Sequence, residues 1–261
     1  MKPKSRPTVS VVMPVYNSAP TVALAIESVL SQTRRDLELI VVDDASTDET
    51  PAIVEWYARE DPRTRITRNL ANSRAGVIEW EPRNDGLKLV AGSLIAYLDA
   101  DNVWRPRFVE TLAGRLEECD ELQLVHCDSR NFHDATLLDD VIARDARTPT
   151  ARGEDWVEYT HGLLEPLELG TTQYIDANEI MHRAGVFRRL GWLWSTTHSR
   201  RDAIGASQGV RCPWRRHNDL DLVERIIAAF GARAVARVPQ VLVDYYYRSA
   251  FRDLHHLGNT R

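Results

Sequence analysis

Short apolar runs alternate with helical patterns along the first half of the chain. The β-branched run at residues 8–15 and the apolar run at 37–42 have the length of buried strands, and an apolar stripe between them predicts a helix after Pro20. A weaker pattern predicts a strand at 63–68, and further patterns predict strands at 93–98 and 122–127. Helices are predicted from a capping-box pattern at 46–49, from Asn84 and from Pro106. This alternation predicts an α/β fold with a mostly parallel central sheet flanked by helices.

Polar residues follow three of the predicted strands, at the point where each strand ends. In sheets of this kind the ligand lies beyond the carboxyl ends of the strands. The sequence therefore predicts that these polar side chains converge on one site. They are Tyr16, Asn17, Asp43, Asp44, Asp99 and Asp101.

The pattern changes after about residue 130. Residues 130–216 are rich in Arg, Asp, His and Trp and contain few periodic runs, so we interpret them as an elaborated region that covers one face of the sheet. An apolar stripe from Val223 predicts a late amphipathic helix that ends at Gly231. We therefore expect one domain with two halves, 1–129 and 130–261.

Composition narrows the class of protein. A formal net charge of −5 and the lack of a long Lys/Arg run argue against nucleic acid as the main partner. Cys119, Cys127 and Cys212 lie far from any CxxC spacing, which favours free thiols in a reducing cytoplasm. No apolar run reaches the roughly 18 residues of a membrane span. We expect a cytoplasmic protein, and Trp192 and Trp194 beside basic residues leave open a peripheral position at the inner membrane face.

The Asp99-Ala100-Asp101 triplet is the candidate metal site. On an extended segment, residues two apart point the same way, so both carboxylates can face one cation. Mg²⁺ and Mn²⁺ take carboxylates together with substrate phosphates. Such triplets also arise by chance, and Asp219-Leu220-Asp221 is a second one. The position of the first, between an apolar strand and the helix predicted from Pro106, favours a metal site there.

Three other candidate binding residues have a structural and a functional interpretation each. Asp44 is either a turn former or an acceptor for a base N–H or a ribose hydroxyl. Tyr16 is either a half-buried aromatic at a strand end or a platform for a nucleobase. Arg83 is either a solvated loop charge or a pyrophosphate contact, since a guanidinium matches phosphate oxygens with paired donors.

Candidate catalytic residues lie at the start of the late helix. Asp219 and Asn218 are explained by helix capping, or Asp219 is a general base on the far side of a cleft from a bound donor. For His217 we prefer the interpretation as a loop residue to that as a ligand. Arg248 and the Tyr245-Tyr246-Tyr247 run are either core and salt bridge or a C-terminal flap over phosphate and sugar.

Five motifs follow one another between Val9 and Asp101. They are Val9-Ser-Val-Val-Met-Pro-Val-Tyr-Asn17, Glu27-Ser-Val-Leu-Ser-Gln-Thr33, Leu37-Glu-Leu-Ile-Val-Val-Asp-Asp-Ala-Ser-Thr-Asp48, Arg83-Asn84-x-Gly86-Leu87 and Ile95-Ala-Tyr-Leu-Asp-Ala-Asp101. In this order they resemble glycosyltransferase family 2, the inverting, nucleotide-sugar-dependent enzymes of GT-A fold. The resemblance covers the first half of the chain well and the second half at a few points.

The resemblance implies a role for each matching position. Asn218-Asp219 stands where the family has Glu-Asp, which would make Asp219 the catalytic base. Asp176 falls in a segment similar to the acceptor-side strand. The other implied roles are the nucleobase pocket for Pro14, Tyr16 and Asp44, the diphosphate for Arg83, and ribose and Mg²⁺ or Mn²⁺ for Asp99 and Asp101. The Trp- and Arg-rich segment 192–216 departs from the family pattern, so the acceptor stays unidentified.

The function implied is metal-dependent, inverting transfer of a sugar from a nucleoside-diphosphate sugar to an acceptor hydroxyl. A UDP-sugar is the favoured donor, and a homodimer is left open. One alternative is a non-catalytic sugar-nucleotide-binding relative, which intact Asp219, Asp99 and Asp101 argue against. Another is a nucleotidyltransferase that makes sugar nucleotides, but no Gly-rich phosphate loop follows the first strand. A NAD-dependent enzyme is disfavoured because GxGxxG is missing after Val15.

Overall fold

A computed structural model describes residues 7–73, 82–133, 136, 138–139, 142, 149–159, 175–190 and 218–246. Ten strands lie in these ranges: β1 (Val9–Val15), β2 (Leu37–Asp43), β3 (Thr64–Arg68), β4 (Leu94–Tyr97), β5 (Asn102–Trp104), β6 (Leu124–Phe132), β7 (Pro149–Arg152), β8 (Trp156–Tyr159), β9 (Ile180–Arg183) and β10 (Val235–Tyr246). The α-helices there are α1 (Val22–Leu30), α2 (Thr50–Glu60), α3 (Arg83–Leu87), α4 (Phe108–Glu117), α5 (Gly185–Leu190) and α6 (Asn218–Phe230), and short 3-10 helices cover Ala177–Glu179 and Ala232–Ala234.

The described strands form one sheet in the order β3-β2-β1-β4-β9-β6-β10-β5, with β8 and β7 added alongside β6. Strands β1 to β4 run in the same direction, and β9 pairs antiparallel with both β4 and β6. β6 therefore runs with β1 to β4, and β10 runs parallel to β6 while β5 opposes it. The predicted α/β fold with a mostly parallel sheet is confirmed.

Helices cover both faces of this sheet. α1, α2 and α4 pack on one face, against residues such as Val11 and Met13 of β1, while α3, α5 and α6 pack on the other, against Val12 and Ile40. Every residue of β2 is buried, because helices exclude water from both of its faces. This explains why β1 and β2 read as continuous apolar runs in the sequence.

Helix α3 approaches the sheet closely through a glycine. A Cβ added at Gly86 would lie 3.0 Å from Cγ2 of Val42 and closer still to Cγ1 of Val12, distances that real Cβ atoms hardly tolerate. The Arg83-Asn-x-Gly86 motif is therefore explained in part by packing. Gly86 lets α3 lie directly on β1 and β2, which places Arg83 at the edge of the sheet.

One local expectation is wrong, and one long strand is not predicted from the sequence. The capping box at 46–49 does not form, since α2 begins at Thr50 and, within the described residues, the Glu49 side chain makes no capping bond. The Ser46 hydroxyl instead accepts a hydrogen bond from the backbone N–H of Asn17, 29 residues away. The long strand β10 escapes the sequence pattern because its register shifts between Arg237 and Val243 break the alternation of apolar residues.

None of the helices in the described parts of the chain is both long enough and apolar enough to cross a membrane.

Candidate functional site

The loops after β1 and β2 are locked together at the carboxyl edge of the sheet. The Asn17 N–H donates to Oγ of Ser46 at 3.0 Å, and the Thr47 N–H donates back to Oδ1 of Asn17 at 2.8 Å. The Ser18 N–H donates to Oγ1 of Thr50 at 2.7 Å. Asn17 adopts a φ of 48°, in the left-handed region where Asn is one of the better tolerated residues. These bonds give the edge a fixed shape.

Two predicted nucleobase residues lie at this locked edge. Pro14 is half-buried near the end of β1. Tyr16 follows the strand with 47% of its surface exposed, although large aromatic side chains are usually mostly buried. The structure therefore presents a ring to solvent next to the β2 loop, as a stacking platform requires.

Asp44 is the centre of a hydrogen-bond network that sequence reasoning missed. Its carboxylate, in a residue only 4% exposed, accepts from Nδ2 of Asn69 at 2.9 Å and from Nδ2 of Asn72 at 3.1 Å. The Ser73 N–H and hydroxyl donate to it at 2.9 and 2.7 Å. Asp44 thus folds the segment after β3 back onto the end of β2. Its contact with a nucleobase stays a prediction.

Arg83 and Asp99 meet directly. Nη2 of Arg83 lies 2.5 Å from Oδ1 of Asp99, and both side chains are mostly shielded from water. Arg83, the predicted diphosphate contact, comes from α3. Asp99, the predicted ribose or metal ligand, comes from the segment just after β4. The structure brings them together at the same edge as Tyr16 and Asp44.

The Asp99-Ala100-Asp101 triplet does not have the geometry expected from the sequence. β4 ends at Tyr97, and the Asn102 N–H donates to the Asp99 carbonyl at 3.1 Å, which closes a tight turn. The prediction of an extended segment is therefore wrong, while the prediction that both carboxylates face one cation stays a prediction. Oδ1 of Asp101 accepts from Nδ2 of Asn102 at 3.2 Å, and Asp101 is half-buried.

Asn178, a residue that sequence reasoning did not identify, joins Asp99 to Asp176. Oδ1 of Asn178 accepts from the Asp99 N–H at 2.6 Å, and its Nδ2 donates to Oδ2 of Asp99 at 3.2 Å and to Oδ1 of Asp176 at 2.5 Å. Asp176 in turn caps the Ala177–Glu179 helix through the Asn178 N–H. The available signal was an Asn two residues after Asp176, in the segment similar to the acceptor-side strand.

Asp176 lies close to the candidate base. Burial raises the pKa of the Asp176 carboxyl well above its usual range, and the negative charges of Asp219, Asp99 and Glu179 raise it further, against the lowering by the Asn178 N–H. Asp219 and Asp99 each therefore stand near enough to Asp176 for their charges to act on its carboxyl group. Residues that the sequence places far apart meet at one edge of the sheet.

Asp219 occupies the first turn of α6 and is half-buried, as the predicted late helix requires. Its role as a base stays a prediction. His217 and Arg248 lie outside the described residues, as does the side chain of Asn218, so these predicted acceptor or flap contacts also stay predictions.

The chemistry of the turn fits a divalent metal in part. Among the described residues, no group of three or more His, Cys, Asp and Glu side chains is arranged to hold a metal ion. Mg²⁺ sites of this kind need only one or two carboxylates, because water and substrate phosphates complete the coordination. Asp99 accepts from Arg83 and Asn178, and Asp101 accepts from Asn102, so the metal-ligand roles of both carboxylates stay predictions.

Comparison with known proteins identifies the class. The family model described as "Glycosyl transferase family 2" matches residues 10–159, more than half of the chain. The chain therefore belongs to glycosyl transferase family 2 and carries a glycosyltransferase domain, as its five motifs predict. The matched range includes the loops after β1, β2 and β4 but ends before Asp219.

Particular relatives place the chain further. It is 40% identical over 132 residues to the succinoglycan biosynthesis protein ExoO of Rhizobium meliloti, covering 48% of this chain and 36% of that protein. It is 34% identical over 120 residues to the uncharacterized glycosyltransferase YibD of Escherichia coli, covering 46% of this chain and 33% of that protein. The chain thus spans about a third of the length of the curated relatives it matches.

Solved structures share the fold. S. aureus TarS 1–349 in complex with UDP-GlcNAc has a TM-score of 0.60 at 15% identity, over 94% of this chain and 61% of that one. Glucosyl-3-phosphoglycerate synthase from Mycobacterium tuberculosis, in complex with Mn²⁺, UDP and glucosyl-3-phosphoglycerate, has a TM-score of 0.57 at 21% identity, over 97% and 75% of the two chains. The predicted GT-A fold is confirmed.

Proposed function

We propose that this protein transfers a sugar from a nucleoside-diphosphate sugar, with a UDP-sugar favoured, to an acceptor hydroxyl, with inversion and with the help of a divalent metal. The observation that carries the proposal is the convergence of Arg83, Asp99, Asp176 and Asp219 at the carboxyl edge of the sheet. Solved structures of this fold hold UDP-GlcNAc in one case and UDP with Mn²⁺ in another, which supports a nucleotide donor and a metal.

The donor binds across the ends of β1 and β2 in this proposal. The exposed ring of Tyr16 stacks on the base, and Pro14 lines the pocket beside it. The Asp44 carboxylate accepts a base N–H, as one further bond in the network that already holds Asn69 and Ser73. The base pocket therefore depends on the segment after β3 as well as on the strand ends.

The diphosphate lies over the β4 turn. The Arg83 guanidinium offers paired donors to phosphate oxygens, and its bond to Asp99 holds it at the edge of the sheet. Asp101 and Asp99 would hold Mg²⁺ or Mn²⁺, which when bound neutralises negative charge on the departing diphosphate. Arg83 supplies a fixed positive charge for the same purpose from the α3 side.

The acceptor approaches from the α6 side. Asp219 takes the proton from the acceptor hydroxyl as that oxygen attacks the anomeric carbon, on the face opposite the departing diphosphate. A single displacement of this kind inverts the anomeric configuration and needs no covalent intermediate. Asp176, near Asp219, belongs to the acceptor side of the site in this proposal.

A thermal-shift panel tests the donor. The panel contains UDP-glucose, UDP-N-acetylglucosamine, UDP-galactose, GDP-mannose and dTDP-glucose. Each donor is added once with Mn²⁺ and once with EDTA. We expect a UDP-sugar to give the largest rise in Tm, and Mn²⁺ to increase it. A panel in which no sugar nucleotide raises Tm under either condition would overturn the proposal.

A further inference from the structure

Asn178 lies between the donor and acceptor sides of the site. Asn178 is completely buried. Its side chain bonds to Asp99, just after β4, and to Asp176, at the start of the acceptor-side segment. We propose that Asn178 is a positioning residue that holds the β4 turn in the geometry needed to bind a divalent metal and keeps it in register with the acceptor-side carboxylates. This inference rests on the proposed function.

The side-chain amide of Asn178 uses its full set of polar atoms in these contacts. The amide oxygen accepts from the Asp99 N–H at 2.6 Å, while the amide nitrogen donates to Oδ2 of Asp99 and to Oδ1 of Asp176. The Asp99 N–H requires an acceptor and the two carboxylates require donors, so the orientation of the amide is determined by its neighbours. A single side chain thereby fixes both the backbone and the carboxylate of Asp99.

The backbone of Asn178 holds the other end of the same turn. The indole N–H of Trp104 donates to the Asn178 carbonyl at 2.9 Å. Trp104 is buried and its ring stacks on Phe108, with centroids 3.9 Å apart, so this end is anchored in the core. Asn178 therefore forms hydrogen bonds to both ends of the segment that contains Asp101, at Asp99 and at Trp104.

Only a neutral amide suits this position. The amide nitrogen of Asn178 donates to the carboxylates of Asp99 and Asp176, and the negative charges of Asp219 and Glu179 also act on Asp176. An Asp at 178 would have almost the same shape, but it could donate to neither carboxylate and would add a further negative charge among them. Asn178→Asp should therefore disturb the hydrogen bonds and charges of the site while changing the packing very little.

Two hydrogen-bond partners, one on each oxygen, hold the Asp99 carboxylate in place. Arg83 holds its Oδ1 from α3, and Asn178 holds its Oδ2 from the acceptor side. Without Asn178, the Arg83 ion pair alone would orient the carboxylate. We expect Asp99 then to turn toward Arg83 and away from a metal bound at Asp101.

The experiment measures UDP binding to the full chain by calorimetry, once with Mn²⁺ and once with EDTA, for wild type, Asn178→Ala and Asn178→Asp. Removing a group that orients metal ligands typically costs 10- to 100-fold in metal affinity. We expect UDP affinity in EDTA to change by less than about twofold, and its Mn²⁺ enhancement to fall by roughly tenfold or more. Titration of Mn²⁺ alone, followed by its EPR signal, gives a second readout.

Asn131→Ala is the matched control, because Asn131 is also buried but lies on β6 and bonds to Ser129. It should keep the full Mn²⁺ enhancement. If Asn178→Ala does not fold, Asn178→Ser is measured in its place and should show the same loss. An unchanged Mn²⁺ enhancement in a folded variant at 178, or an equal loss in Asn131→Ala, would overturn the positioning role. Wild type without any Mn²⁺-enhanced UDP binding would instead overturn the metal-dependent function, and this inference with it.

Discussion

At the scale of single residues, the carboxylates of the site differ in their surroundings. Asp99 is held by Arg83 and Asn178, whereas Asp176 is buried and caps a short helix. Asp101 and Asp219 are half-buried, the first in the β4 turn and the second in the first turn of α6. Because Asp101 and Asp219 are less buried than Asp176, their substitution should affect chemistry more than folding.

Asp219→Asn separates a capping role from a catalytic one. Asn caps helices about as well as Asp, so the free energy of unfolding should hardly change in either case. If Asp219 is a general base, its replacement should lower the transfer rate roughly 10²–10⁴-fold, while the affinity for UDP stays near that of wild type. Steady-state transfer rates, urea unfolding and the NMR coupling of the product's anomeric proton measure these effects. An active variant, or a product of retained configuration, would contradict the assignment.

Asp101→Ala tests the metal assignment. We expect the folded variant to bind UDP in EDTA as wild type does and to lose the increase that Mn²⁺ gives, because one of the two carboxylates proposed to hold the metal is gone. Calorimetry with and without Mn²⁺ makes the comparison. Asp120→Ala, at an exposed position beside Arg183, serves as the control and should leave the Mn²⁺ effect intact. Full Mn²⁺ enhancement in Asp101→Ala would show that the metal site lies elsewhere.

At the scale of elements, β9 joins the two halves of the sheet through a buried polar pair. His182 stands opposite Ile95 of β4 and Leu124 of β6, and its Nε2 lies 2.9 Å from the Tyr97 hydroxyl. Burial lowers the pKa of His182 to about 4, against a smaller raising effect of the Arg183 carbonyl. The imidazole is therefore neutral in the folded protein at pH 7.

This lowered pKa predicts a stability that depends on pH. Between pH 6.5 and 4 the unfolded chain takes up a proton at His182 that the folded chain does not, so stability is full above pH 6.5 and falls as the pH drops. The loss from this group should reach about 2 kcal/mol by pH 5. Urea unfolding of wild type and His182→Gln at pH 7.5 and pH 5 isolates the contribution. The variant should lose less stability over this range, and equal losses would contradict the prediction.

At the scale of the whole molecule, the sheet combines strands from both halves of the chain. β10 from the second half lies between β5 from the first half and β6, which begins in the first half and ends in the second. Ion pairs reinforce these contacts: Arg237 of β10 makes two bonds to Asp128 of β6, and Arg105, next to β5, bonds to Asp244 of β10. Neither half can complete the described sheet alone.

This interleaving predicts a single cooperative unfolding transition. Far-UV circular dichroism and tryptophan fluorescence should give the same urea midpoint, because Trp104 and Trp156 belong to the same sheet. Arg237→Met leaves Asp128 with a poorly compensated charge and should lower both midpoints together. Two separate transitions in wild type, or a shift of one probe alone, would show that the halves unfold independently.

The sequence by itself determined the layout of the first half and the family. Strands β1 and β2 are buried on both faces, so their apolar runs are continuous and easily recognised. The polar residues at their ends, with those after β4, identified the edge where Tyr16, Asp44 and Asp99 now lie, since parallel strands bring their carboxyl ends together. These features depend on neighbours close in sequence, and local pattern is enough to predict them.

Only the tertiary structure decided how that edge is held. Asn178 acts on Asp99 across 79 residues, and Ser73 acts on Asp44 across 29, so no local pattern announces either contact. Similarly, the Ser46 hydroxyl serves Asn17 of another loop instead of capping its own helix. A side chain with several hydrogen-bonding options takes the partner that burial leaves within reach, and that partner is set by the packing of the whole chain.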